Sequence, residues 1–362
     1  MAVAPERVIR QNIMMTLTHE RTQAIDDFLA CQGMGDASRR QIAGDASFRR
    51  YERITRPGGE RPLVLMDAPP EKEDVRPFIA VQSCLHAAGY SVPEILAADE
   101  SAGFLLLEDL GDDSFTRVLA QAPQQEEALY AAAIDALADL CHRGLAVAHA
   151  SSLPTYSLEL LKREVALLPE WFLPLVMGQE RAEVAGKAFM GVMLSLLKAS
   201  DLSPRVVVHR DFHADNLFWL ADRSPAIRRV GMLDFQDAVL GRPAYDLVSL
   251  LEDARRDIKP AVVEASLARY AAATGEQEHA LRAQFALYGA QRNAKILGIF
   301  ARLHLRDDKP RYLGLIPRVW GHFLRDLSHA DLAPLKHWAR EYLTDEDIAV
   351  ITQSDLAERA YA

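Results

Sequence analysis

Residues 206–220 read VVVHRDFHADNLFWL: a β-branched apolar run, a polar cluster, then a second apolar run rich in aromatics. Residues of those two kinds suit pleated, half-buried strands, so the stretch predicts two short strands with a polar loop held between them. A second β-rich segment, RRVGMLDFQDAV at 228–239, follows after the turn-forming ADRSPA at 221–226. The two segments are expected to pair as a hairpin. One loop then offers His209, Asp211, His213, Asp215 and Asn216, and the far arm ends in Asp234, Phe235, Gln236 and Asp237.

Two carboxylates and a carboxamide in one place suit phosphoryl transfer. Magnesium prefers hard oxygen ligands, and the reaction needs positioning and charge neutralisation more than covalent chemistry. On this reading Asp211 accepts the proton of an attacking hydroxyl or orients it, and Asn216 and Asp234 hold the metal. Asp215 and Asp237 lie beside turns, where acids also serve as solvated caps. His209 is expected to brace the loop, while His213 either points toward an acceptor or fills the loop.

The chain has 362 residues, 49% of them hydrophobic, enough for a large core and for two lobes. Its three cysteines, Cys31, Cys84 and Cys141, are widely spaced and suggest neither a disulfide framework nor a zinc site. The N-terminal segment lacks the apolar stretch of a secretory signal and no membrane-spanning run follows, so a soluble, cytoplasmic protein is expected. A net charge of −10 argues against nucleic-acid partners, and the lack of a membrane-spanning run against a membrane.

Three regions are expected: a loose extension over 1–16, a sheet-rich lobe over 17–110 and a mainly helical lobe over 111–362, an α+β fold. A helix is predicted at 18–31, then an antiparallel meander through RQIAGDASFRRYERITRPGGERPLVLMDAPP, a helix at 75–86, and two strands flanking the turn DESAG. Beyond Gly111 helical periodicity dominates at 126–142, 157–173 and 180–199, and a long helix is predicted over 282–303. On that last helix Gln291, Lys295 and Arg302 share a polar face with Arg292 and Asn293 at its edge. Such a face is either solvated or the wall of an acceptor pocket.

HRDFHADN resembles the catalytic loop of the protein-kinase-like fold, and LDFQD resembles the metal-binding motif that follows it. Asp-Phe-Gln-Asp in place of Asp-Phe-Gly, with GRPAYDLVSLL at 241–251, is similar to the aminoglycoside phosphotransferase and choline kinase branch. Within that branch the chain resembles the anomeric N-acetylmuramate/N-acetylglucosamine kinases of peptidoglycan recycling. GDASFRRYERI, LVLMDAPPEKED, LLLEDLGDDSF, HRDFHADNL, DFQDAVLGRPAYDLVSLLEDARRD and QRNAKILGIFARL carry the resemblance.

The resemblance implies a two-lobe kinase-like fold and use of ATP with Mg2+. It also implies phosphorylation of the anomeric hydroxyl of an amino sugar, giving the sugar 1-phosphate. ATP would lie between the lobes, its adenine against backbone near Glu108, Asp109 and Leu110, with the turn of Gly44, Asp45, Ala46, Ser47 and Phe48 over its phosphates. Asp246 would brace the catalytic loop. Where kinases carry a third-strand lysine this chain has Met66 or Asp67, leaving Arg49, Arg50 or Lys72 to supply a cation. Candidates for the sugar site are His213, Glu164, Gln291, Arg292, Lys295 and Arg302. Alternative readings are an aminoglycoside or other small-alcohol phosphotransferase, and a nucleotide-sensing pseudokinase.

Overall fold

The computed structural model describes residues 20–42, 48–58, 61–147 and 150–352. The expected extension over 1–16 lies outside them. The chain divides into two compact units, one running to Gln82 with Val92–Gly111 added, the other Ser83–Ser91 with Asp112 onward.

In the first unit, helix α1 (20–31) precedes strands β1 (Ser38–Ile42), β2 (Arg50–Thr55) and β3 (Leu63–Asp67), the part of helix α2 (Arg76–Ala87) up to Gln82, and strands β4 (Ile95–Asp99) and β5 (Phe104–Glu108). The antiparallel sheet runs β1-β2-β3-β5-β4, so the expected meander forms and β5 inserts beside β3. LVLM in β3 and FLLL in β5 are continuous apolar runs, the pattern of strands buried inside a sheet. Ile25, Phe28 and Leu29, one face of α1, pack on Ile54, Leu65, Phe104 and Leu106. The β4–β5 turn requires Gly103: its φ is +73°, and a Cβ there would stand 2.0 Å from the Ala68 carbonyl oxygen.

The reading of 17–110 as one lobe differs in one respect, because Ser83–Ser91 cluster with the second unit. Ser91 explains why: its carbonyl accepts from Met232 N at 2.8 Å and its hydroxyl donates to the Arg228 carbonyl at 2.6 Å.

The second unit holds α3 (Phe115–Gln121), α4 (Glu126–Arg143), α5 (Leu158–Val165), a π-helical turn Leu168–Phe172, α6 (Leu173–Met177) and α7 (Gln179–Ala199). Strands β6 (Val206–Val208), β7 (Leu217–Trp219), β8 (Val230–Met232) and β9 (Val239–Gly241) follow. Helices α8 (Ala244–Leu251), α9 (Pro260–Thr274), α10 (Glu278–Leu305), α11 (Ile316–Asp326), α12 (Ala333–Tyr342) and α13 (Asp345–Thr352) complete it. None of the described helices is long and apolar enough to cross a membrane.

The single hairpin expected from 206–239 is instead two nested ladders: β7 pairs with β8, and β6 pairs with β9. The polar loop after Val208 turns the chain away before β7, so β6 finds its partner only beyond Asp237. Both chemistry-bearing loops consequently lie between the inner and outer ladders.

Helix α10 passes close to the π-helical turn's approach. A Cβ on Gly298 would lie 2.3 Å from the carbonyl carbon and oxygen of Leu167, whereas Gly191, on the exposed face of α7, has open space around it. Gly298→Ala is therefore expected to lower unfolding stability by about 1–3 kcal/mol through overpacking. Gly191→Ala should raise it by up to about 1 kcal/mol through helix propensity. Urea unfolding of both variants checks the contrast.

Candidate active site

The loop after β6 is built on one carboxylate. Asp246, in the first turn of α8 and 2% exposed, accepts from His209 N at 2.7 Å and from Arg210 N at 2.9 Å. Arg210 adopts φ 75°, a left-handed conformation uncommon for a side chain of its size. That bend turns the chain so that Asp211 follows at the loop's tip. The Asp211 carbonyl accepts from His213 N and from the Asn216 side-chain amide, each at 3.0 Å, which closes the loop on itself.

Asn216 stands where β7 begins. Its carbonyl accepts from Leu233 N at 2.9 Å, which extends the β7–β8 ladder one step and brings the start of the Asp-Phe-Gln-Asp segment alongside it. Asp234, the next residue, also has a positive φ, 61°, and its Oδ1 accepts from the Gln236 amide at 2.9 Å. Two non-glycine residues in the left-handed region within these two loops are local strain held by the surrounding fold, a recurrent feature of functional sites. The structure thus brings Asp211, Asn216 and Asp234 to the same end of one short ladder.

Asp211 is half-buried. Burial opposes its ionisation, but Lys295, His213, Arg292 and His209 outweigh it and hold the carboxyl below its ordinary range. Burial lowers His209 to about 4 and, with Arg255 adding to it, His213 to about 3, so both rings are neutral near pH 7. His209 fills the loop as expected, edge-on to Phe212 and Phe235 at 5.7 and 6.5 Å between ring centroids. Asp215 is fixed by the Thr116 hydroxyl at 2.5 Å and by Arg255 at 3.3 Å.

A second cluster adjoins the loop. Glu164 on α5 accepts from Arg210 Nη2 at 2.5 Å, Lys295 Nζ at 3.0 Å, Gln291 Nε2 at 2.9 Å and the Tyr156 hydroxyl. Lys295 also donates to the Tyr245 hydroxyl at 3.2 Å. Burial opposes ionisation of Glu164, and the Lys295 and Arg210 charges overcome it. Three of the sugar-site candidates, Glu164, Gln291 and Lys295, therefore meet. A solvated polar face on α10 is not what forms: Gln291 has no exposure and Arg292 only 4%, because α10 is packed against α5, α8 and α11 and the face is satisfied internally. Arg302 lies just over three turns beyond Gln291, and the contacts that gather Glu164, Gln291 and Lys295 do not include it.

Arg210, Tyr156, Tyr245 and Arg255 were not legible as site residues. Tyr156 is held by backbone pairing with Leu240 of β9, at 2.8 Å, and nothing in its local sequence marks it.

In the first unit Gly44, Asp45, Ala46 and Ser47 lie outside the described residues. Phe48 is exposed, its N–H donating to Glu73 at 3.0 Å, and Arg49 stands 3.6 Å from the same carboxylate. On β3, Met66 is buried and Asp67 binds Arg21 at 2.6 Å and Arg50 at 2.7 Å. Lys72 covers the Phe48 ring at 4.3 Å. Asp109 pairs with Arg53 at 2.5 Å and accepts from Gly111 N at 2.8 Å, Glu108 N donates to the Glu94 carbonyl, and Leu110 is buried.

Residues 38–288 match the phosphotransferase enzyme family. The chain belongs to that family. It is 39% identical to an N-acetylmuramate/N-acetylglucosamine kinase of Caulobacter vibrioides, over 92% of this chain and 99% of the relative. Against an N-acetylmuramate/N-acetylglucosamine kinase of Pseudomonas aeruginosa the identity is 40%, over 82% of this chain and 86% of the relative. A choline/ethanolamine kinase family protein from Mesorhizobium loti has the same kinase-like fold, with a TM-score of 0.58 at 16% identity, covering 89% of this chain and 99% of that one.

For a phosphotransferase using Asp211 as an ionised carboxylate, activity should persist below the ordinary carboxylate range and fail as pH drops through the lowered pKa. Lys295→Met removes the largest opposing cation, so the acid limb of kcat/KM is expected to move to higher pH. A limb that stays in place would show that another group sets it.

Proposed function

We propose that this phosphotransferase moves the γ-phosphoryl group of ATP to the anomeric hydroxyl of N-acetylmuramate and of N-acetylglucosamine. The product is the sugar 1-phosphate, and the reaction belongs to cytoplasmic recycling of cell-wall sugars. The observation that carries the reaction type is the convergence of Asp211, Asn216 and Asp234 at one end of the β7–β8 ladder. The sugar is supported by relatives that bear this activity in their names and match nearly end to end.

Asp211 accepts, or orients by accepting a hydrogen bond, the hydroxyl proton of the sugar. Its depressed pKa makes it a weak base that is anionic at neutral pH, suited to a loose transition state in which positioning and charge count for more than proton removal. Asn216 and Asp234 would hold magnesium. The donor set fits by chemistry: the Asn216 Nδ2 donates to the Asp211 carbonyl, so Oδ1 is the acceptor atom of that amide, and Asp234 carries carboxylate oxygens, one of them accepting from Gln236. No three His, Cys, Asp or Glu side chains among the described residues form a cage of their own. Bound there, the ion neutralises charge on the phosphates.

Residues 17–110 are assigned to nucleotide binding and 111–362 to catalysis and the acceptor. The 44–48 turn and Arg49 serve the phosphates, and backbone at Glu108, Asp109 and Leu110 serves the adenine.

A coupled ADP-release assay over amino sugars, aminoglycosides and choline, with phosphorus NMR of the product, tests this reading. A 1-phosphate ester from the two amino sugars is expected; turnover of aminoglycosides alone, or of nothing, would sink it. Asp211→Asn should lower kcat by about 10²- to 10⁴-fold while nucleotide binding survives. EDTA should stop turnover, and added magnesium should restore it.

A further inference from the structure

Arg292 is a buried cation with one nitrogen unpaired among the described residues. It sits on α10 at 4% exposure, and its Nη1 is enclosed with no hydrogen-bond acceptor among the described residues. Arginine is rarely buried unless paired, and an uncompensated buried charge is costly. Four acids feel its field: Asp211, Asp246, Glu252 and Asp253. Three of them are bonded elsewhere. Asp246 grips His209 N and Arg210 N, Glu252 accepts from Asn293 at 2.6 Å, and Asp253 accepts from Arg255 N at 2.8 Å. The fourth is the proposed base. A second enclosed polar atom close to Asp211, Nδ1 of His213, likewise has no hydrogen-bond partner among the described residues.

Lys295 does not stand in the same position, because Glu164 and Tyr245 already hold it. Arg292 stands three residues before Lys295 on α10, and both cations act on Asp211. N-acetylmuramate differs from N-acetylglucosamine by a lactyl ether that ends in a carboxylate. A guanidinium fork matches a carboxylate in geometry and charge.

Resting on the function proposed above, we infer that the Arg292 guanidinium binds the lactyl carboxylate of N-acetylmuramate and sets the preference between anionic and neutral amino sugars. N-acetylglucosamine occupies the same site without using this contact.

The test compares both sugars with wild type, Arg292→Gln and Arg292→Lys. Arg292→Gln is expected to lower kcat/KM for N-acetylmuramate about tenfold more than for N-acetylglucosamine, the excess appearing chiefly in KM. Arg292→Lys should restore part of the loss. Equal losses on both sugars would reduce Arg292 to a charge that balances buried acids, and would overturn the inference. If the variants do not fold, wild type decides alone. N-acetylmuramate should be preferred about tenfold or more over its lactyl amide, a neutral isostere, and equal turnover of the two overturns the inference. Failure of wild type to phosphorylate either sugar would bring down the proposed function itself, a result distinct from unselective losses in the variants.

Discussion

The Asp246 carboxylate, gripping the N–H groups of His209 and Arg210, is the constraint on which the rest of the site depends. Burial pushes its carboxyl up to about 7, against the two donors that favour its charged form. Through that bond the start of α8 fixes a strained bend at Arg210, and the bend sets where Asp211 emerges from β6. Such a grip orients a loop more firmly than side-chain packing would, since two bonds to one rigid carboxylate fix direction as well as distance.

A second layer steadies the same bend from its side chain. Arg210 reaches Glu164 on α5, which also binds Lys295 and Gln291 from α10. Three elements distant in sequence thereby share one buried charge cluster. Buried ion pairs of this kind are poor sources of net stability, because desolvation offsets their attraction. Here the gain is positional: Glu164 spreads its charge over four donors, and Lys295 is held where its field still reaches Asp211. The strap Asn216–Asp211 and the ladder bond Asn216–Leu233 then tie both loops together.

The sheet-rich unit handles charge differently from the kinase pattern that the sequence resembles. Its third strand ends in Met66 and Asp67, and Asp67 attracts Arg21 and Arg50. A lysine at Met66 would have to be buried in full. The arginines cluster instead around acids at the strand ends, with Arg49 beside Glu73.

By itself the sequence determined the sheet-rich opening, the helical character of the remainder and which loops gather acids, amide and histidines. Strand runs such as LVLM and FLLL, the face Ile25-Phe28-Leu29, and HRDFHADN followed by DFQD are local patterns, and local backbone preference and burial fix them within a few residues. Tertiary structure alone decided the partners. Nothing in 206–239 shows that β6 pairs with β9 around an inner β7–β8 ladder, because strand pairing is settled by which edges lie free once the loops are in place. The polar face of α10 was visible in sequence, but its burial was not: helical spacing gives a direction, and only the packing of α5, α8 and α11 decides whether that direction meets water or Glu164. Tyr156 and Arg210 belong to the site for the same reason, since their contacts cross 8 and 46 residues to one carboxylate and no spacing rule encodes such distances.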